Sequence, residues 1–122
     1  MRIYIAGKMR GRYEFNRRAF DHAAAELRAA GHEVFSPAEH DLDCGYDFTG
    51  CEGTQAELDA AGFDFRKMLA DDLAWICQHA EALVVLDGWE TSTGTTAEIG
   101  VARALGIQVL TLRNTLAMTM AG

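Results

Sequence analysis

Four short apolar runs, separated by stretches of helical periodicity, leave this chain few ways to fold. Arg2-Ile3-Tyr4-Ile5-Ala6 is β-branched and aromatic and ends at Gly7, which predicts a buried first strand. From Glu14 to Ala30, the residues Phe15, Ala19, Ala23, Leu27 and Ala30 recur at helical spacing, and Gly31 supplies a stop signal. Glu33-Val34-Phe35 predicts a second strand closed by Ser36-Pro37. A second helix is expected from Phe63 to His79, with Phe65, Leu69, Leu73 and Ile76 on one face. Ala82 to Leu86 reads as a continuous apolar strand and Asp87 to Gly94 as a loop. Thr95 to Leu105 reads as a third helix ended by Gly106, and Ile107 to Leu112 as the last clear strand. Beyond Arg113 a short helix is expected, whose Leu116, Met118 and Met120 need a partner surface.

Strands alternating with helices make βαβ units, and these close into a parallel sheet covered on both faces. The expected class is therefore α/β, a flavodoxin-like or Rossmann-like three-layer sandwich with a four- to five-stranded parallel sheet. The 122 residues suit one domain, 1–122, with one core. No apolar run is long enough to cross a bilayer, and the start has no signal-peptide layout. Three cysteines, Cys44, Cys51 and Cys77, are an odd count without a pairing framework, so a cytoplasmic setting is expected. A net charge of −7 argues against a partner that is a nucleic acid polymer, though a local cluster of cations can still hold one phosphate.

In doubly wound sheets, ligands bind at the carboxyl ends of the strands. That places Gly7–Arg12, the segment 36–62, Asp87–Gly94 and Glu98 on one rim. Gly7-Lys8-Met9-Arg10-Gly11-Arg12 combines glycines that let backbone approach a ligand with three cations in an acidic protein. It is neither an ATPase phosphate loop nor the dinucleotide fingerprint. Ser92-Thr93-Gly94 precedes a helix start, whose free amides favour an anion. Thr95-Thr96-Ala97-Glu98 reads as a capping box, so Glu98 has either a capping or a chemical role. Asp72 interrupts helix two beside its apolar face. Trp89 reads as a rim aromatic, for base stacking or simple packing. The segment 38–62 is acidic and weakly periodic, with one or two helical turns from Thr54 to Ala61, and reads as a long loop, functional or disordered. It holds His40, Cys44 and Cys51, but without the spacings of a closed zinc site, so no metal is expected.

Tyr4-Ile5-Ala6-Gly7-Lys8-Met9-Arg10-Gly11, then Asp72-Leu73-Ala74-Trp75-Ile76, then Ser92-x-Gly94-x-x-x-Glu98-x-Gly100 resembles the nucleoside 2-deoxyribosyltransferase superfamily. Within it, the motifs are most similar to those of the 2'-deoxynucleoside 5'-monophosphate N-glycosidases and of small phage and bacterial relatives. The resemblance spans Arg2 to Val109. It implies that Glu98 is the nucleophile that forms a glycosyl-enzyme, and that Asp72 contacts the sugar and assists the departing base. It further implies that Tyr4 lines the site and that Gly7, Arg10 and Gly11 meet the 5'-phosphate. Ser92 occupies a position where the plain nucleoside transferases carry a sugar-binding aspartate and the monophosphate hydrolases carry a serine. Lys8 departs from the small residue expected in those hydrolases, and 36–62 is longer and more acidic than their pattern requires.

The resulting expectation is an enzyme that cleaves the N-glycosidic bond of a nucleoside or its 5'-monophosphate, with hydrolysis favoured over transfer and no cofactor. A helix N-terminus would favour the ionised form of Glu98. Two other classes compete: a non-catalytic nucleotide-binding module, and a plain flavodoxin-like interaction domain. The resemblance also implies a homodimer or dimer of dimers, packed through helix two and its neighbour, with Asp72 near the boundary. Trp75, Leu116, Met118 and Met120 are the apolar residues available for it.

Overall fold

In the computed structural model, four parallel strands form one sheet in the order β2-β1-β3-β4. β1 is Arg2–Ala6, β2 Glu33–Phe35, β3 Ala82–Val85 and β4 Gln108–Thr111. The structure describes residues 1–121, with side chains through Thr119, so Met120 lies outside the described side chains. Six helices connect and cover the strands: α1 Arg17–Ala29, α2 Pro37–Asp43, α3 Gln55–Ala60, α4 Phe65–His79, α5 Thr93–Ala104 and α6 Leu112–Ala121. This is the flavodoxin-like strand order, and its switch point falls between β1 and β3. No helix among the described residues is long and apolar enough to cross a membrane.

The alternation of side chains along each strand divides the core in two. Ile3 and Ile5 of β1 and Ala82 and Val84 of β3 pack with Phe20, Ala23 and Leu27 of α1, with Leu112 and Leu116 of α6 alongside. Tyr4 and Ala6 of β1 and Leu83 and Val85 of β3 face the other way, toward Ile76 of α4 and Ile99 and Ala102 of α5. Central strands buried on both faces have no polar face to show, which is why they read as unbroken apolar runs. A third cluster, Phe15, Phe48 and Leu58 with Met9, Tyr46 and Phe63 around it, joins the loop after β1 to the segment 44–63.

Several expected boundaries shift for local reasons. α1 starts at Arg17 because Glu14, Phe15 and Asn16 form a left-handed turn, with φ of 50°, 54° and 66°. Side-chain periodicity does not register that reversal. The segment 38–62 is not a long structureless loop: Ser36 is the N-cap of α2 and Pro37 its first residue. Proline is favoured at that position because its missing N–H would be unpaired there anyway. Gly53 pins the turn between α2 and α3 to the loop after β1. A Cβ there would stand 2.1 Å from the Arg12 carbonyl oxygen, so only glycine fits. Gly11 N donates to Gly53 O at 2.8 Å, and Glu14 N to Cys51 O at 2.7 Å.

On α4 the buried stripe is Met68, Asp72 and Ile76, while Phe65 is left 46% exposed, so the apolar face is turned from the one expected. Asp72 therefore occupies the middle of a core stripe. Trp75 is half-buried and stacks on Phe35 with centroids 5.2 Å apart, and Leu116 packs on the α1 side of the sheet. Of the apolar residues expected to need a partner, Met118 is the one left exposed among the described side chains.

Candidate active site

A cavity of about 360 Å³ opens at the carboxyl ends of β1 and β3, within the size range of small-molecule sites. Gly7, Lys8 and Arg10 from the loop after β1, Asp72 from α4, and Ser92, Gly94 and Glu98 of the α5 region all line it. Tyr4, Gly11 and Trp89 are not part of that wall. Tyr4 stands behind it, fully buried, and its hydroxyl donates to Glu98 Oε2. Gly11 has its amide engaged with Gly53, and Trp89 packs against the α4/α5 side of the core.

Glu98 does not cap α5. The helix begins at Thr93, and the Ser92 side chain is its cap, accepting from Thr95 N at 3.2 Å. The Thr95–Glu98 capping box is not formed; a capping box is found instead at the start of α3, between Thr54 and Glu57. Glu98 thus lies in the second turn, beyond the reach of the helix N-terminus, and the expected stabilisation of its charged form is absent. Burial instead pushes its carboxyl from 4.5 up to about 8, against the Tyr4 hydrogen bond and with some help from Asp72. Tyr4 itself is raised well above 10.0, first by burial and then by Glu98, so its hydroxyl remains a donor.

Asp72 is the second buried carboxyl, and one of its oxygens, Oδ1, has no hydrogen-bond partner. Burial raises it from 3.8 to about 7; the charge of Asp41 adds to this, while His40 and Tyr4 oppose it. Asp41 is a third. It sits on α2, is 7% exposed, lines the same cavity, and is raised to about 7 by burial. Sequence reasoning counted Asp41 only as part of an acidic loop. The missed signal was Ser36-Pro37, which starts α2 and sets the turn on which Asp41 points inward.

The ring of Tyr4 is fixed by neighbours that the sequence did not nominate. Phe35 stacks on it at 5.5 Å with planes 15° apart, and Trp75 lies 6.4 Å away. A locked ring holds the hydroxyl on Glu98 at little further entropic cost. The aromatic wall of the cavity is Phe15, Phe48, Phe63 and Phe65. Of the cations, Arg10 donates to Gln55 Oε1 at 3.0 Å and lies 5.4 Å from the Phe65 ring, and Lys8 donates to Thr91 Oγ1 at 2.9 Å. Both are held at the mouth by exposed polar partners that an anion can displace.

His40 and Cys44 come together with Asp71 rather than with Cys51, their ligand-type atoms lying within 4.8 Å of one another. Asp71 Oδ2 is already met by His40 Nε2 at 2.9 Å and by Lys67 Nζ at 2.8 Å. An ion would have to displace the ammonium, so the group is built as an ion-pair cluster.

No curated protein and no solved structure matches the chain. One family model matches residues 1–111, a span that contains the whole sheet and every residue of the cavity wall. On that match, the chain belongs to the family described as a domain of unknown function, DUF4406.

Proposed function

We propose that the protein cleaves the N-glycosidic bond of a (deoxy)nucleoside 5'-monophosphate, or of the nucleoside, through a glycosyl-enzyme on Glu98. Water is favoured over a second base as the acceptor. The observation that carries this reading is the convergence of Glu98 and Asp72 on one cavity from neighbouring helices, with the Tyr4 hydroxyl fixed on Glu98. The motifs that resemble the deoxyribosyltransferase superfamily are the ones that build this arrangement.

In the first step the Glu98 carboxylate attacks the anomeric carbon, the carbon–nitrogen bond breaks, and its electron pair leaves with the base. Asp72 gives that base a proton. In the second step water attacks the same carbon, Glu98 leaves as carboxylate, and Asp72 takes back a proton from the water. Positive charge develops on the sugar in both transition states, and a carboxylate in a dry site attracts it more strongly than one in water. Burial that raises the Glu98 carboxyl in the empty cavity therefore also strengthens the action of its ionised form once charge appears. The Tyr4 hydrogen bond favours the ionised form at that moment.

Lys8, Arg10 and Ser92 on the cavity wall support a 5'-phosphate. The test is chromatography of the protein incubated with deoxynucleosides and their 5'-monophosphates, with and without a second acceptor base. Free base in both conditions supports hydrolysis; a new nucleoside only with the acceptor supports transfer. The second reading, a nucleotide-binding module without turnover, is favoured by the burial that raises the Glu98 carboxyl and so opposes its ionised form. Binding without base release, unchanged in Glu98→Ala, would establish it.

A homodimer or dimer of dimers packed through α4 belongs to the same reading, with Phe65 at 46% exposure as its apolar contribution. Light scattering that gives a monomer mass with full activity removes it.

A further inference from the structure

Two carboxyls of the cavity wall, Asp41 and Asp72, each follow a residue that faces elsewhere. These residues, His40 of α2 and Asp71 of α4, meet each other outside that wall, with Nε2 and Oδ2 2.9 Å apart. Cys44, the C-cap of α2, brings its Sγ to 3.7 Å from the same His40 nitrogen. The i, i+4 spacing puts imidazole and thiol on one helix face, as in helices that offer two ligands to one zinc ion. All three ligand-type atoms lie within 4.8 Å of one another. Zinc bonds of about 2.0–2.2 Å to nitrogen and oxygen and about 2.3 Å to sulfur make tetrahedral edges of about 3.3–3.6 Å. The separations of 2.9 and 3.7 Å fall on either side of that range, and small side-chain rotations close the difference. Sequence spacing conceals this set because its third member comes from α4 and not from Cys51.

We propose that His40 Nε2, Cys44 Sγ and Asp71 Oδ2 bind one zinc ion, with water in the fourth position, and that the ion clamps α2 to α4. Nitrogen, thiolate and carboxylate together suit zinc, whereas magnesium and calcium take oxygen donors. Thiolate and carboxylate balance the two charges of the ion, and the thiol proton leaves to water as zinc binds. Lys67 Nζ, 2.8 Å from Asp71 Oδ2, is the competing cation. Its side chain is 57% exposed, and an exposed ion pair of that kind holds weakly, so zinc releases the ammonium into water. Phe35, 5.3 Å from the His40 ring and stacked on Tyr4, joins the clamp to the brace behind Glu98.

The experiment titrates chelator-treated protein with cobalt(II), a spectroscopic stand-in for zinc, in a Cys77→Ser background, and then adds zinc. The expected result is one cobalt per chain, with sulfur-to-cobalt charge transfer in the near ultraviolet and the visible bands of a tetrahedral site. Equimolar zinc should abolish both. Cys44→Ser should lose the charge-transfer band, and His40→Ala and Asp71→Asn should each weaken zinc binding by about a hundred-fold or more. Lys67→Met, which removes the competing charge, should tighten it by about five-fold. Zinc should also raise the melting temperature of the parent protein and leave that of the His40→Ala, Cys44→Ser double variant unchanged; the same melting curves show that each variant is folded. Absence of the cobalt bands, charge transfer that persists in Cys44→Ser, or zinc affinity unaltered by both His40→Ala and Asp71→Asn overturns the site.

Discussion

The two faces of the sheet are built from the same strands to different standards. On the α1/α6 face the core is aliphatic and aromatic, and the buried Thr115 hydroxyl is satisfied by donating to Thr111 O at 2.8 Å. Ser36 Oγ, buried at the end of β2, is the one buried hydroxyl outside the site left without a partner among the described residues. On the α4/α5 face, Tyr4, Asp72, Thr95 and Glu98 are all buried, and Asp72 Oδ1 and Thr95 Oγ1 lack partners. One residue's step along β1 separates Ile3 and Ile5 from Tyr4. The first face holds the fold together. The second gives up part of that stability to keep carboxyls dry beside a cavity, where an electrostatic role is worth most.

Substitutions on the two faces should therefore have opposite signatures. The largest effect belongs to Glu98→Gln. Base release should fall by roughly three orders of magnitude or more, with thermal stability at about pH 8 unchanged or raised. Loss of stability in step with activity would mean that Glu98 is a structural residue. Leu27→Ala, on the apolar face, should cost about 2–5 kcal/mol in urea unfolding and leave nucleotide affinity intact. Asp72→Leu, between Met68 and Ile76, should cost nothing or stabilise while base release falls by about a hundred-fold. Equal destabilisation by Leu27→Ala and Asp72→Leu would erase the distinction between the faces.

The pH dependence of stability sharpens the same contrast. Glu98 is raised from 4.5 to about 8, so the native state holds this proton more tightly than the unfolded chain. The stability linked to it is complete below about 4.5 and is lost as pH rises through about 8. Glu57, held down to about 2 by backbone and hydroxyl hydrogen bonds from Thr54 and by the Glu52 amide, acts in the opposite sense, as acidity rises below 4.5. Raising the pH from about 5.5 to about 8 should accordingly cost roughly 3 kcal/mol through Glu98, with Asp72 and Asp41, each raised to about 7, adding in the same sense, read as a fall in melting temperature. Glu98→Gln should reduce that slope and leave the part due to Asp72 and Asp41; a wild type that melts higher at the alkaline end would contradict the burial argument. The smallest effect is expected from Arg10→Ala, about ten-fold in kcat/KM on a 5'-monophosphate and little on the nucleoside. Equal use of both substrates by the wild type would remove the phosphate argument.

The layers and strand positions were legible because they depend on one-dimensional period: apolar runs for central strands and i, i+4 spacing for helices. Glu98 and Asp72 were nominated by motif, and Asp72 also by being an aspartate beside an apolar face. What could not be read depends on backbone conformation and on contacts distant in sequence. The left-handed turn at Glu14–Asn16 has helical spacing without a right-handed helix. Ser36-Pro37 ends a strand and starts a helix with the same two letters, which concealed α2 and with it Asp41. Thr95-x-x-Glu98 has the letters of a capping box, yet the helix starts two residues earlier, so the dipole argument for an ionised Glu98 fails. Bracing of Tyr4 by Phe35 and Trp75 joins residues from three elements and carries no sequence signature.

The most direct test is intact-mass and peptide mass spectrometry of protein mixed with a 2'-deoxynucleoside 5'-monophosphate and quenched in acid. The expected result is an added deoxyribosyl 5-phosphate on the peptide that carries Glu98, absent from Glu98→Gln, together with release of free base. Undiminished base release by Glu98→Gln, or an adduct on another residue, would contradict it.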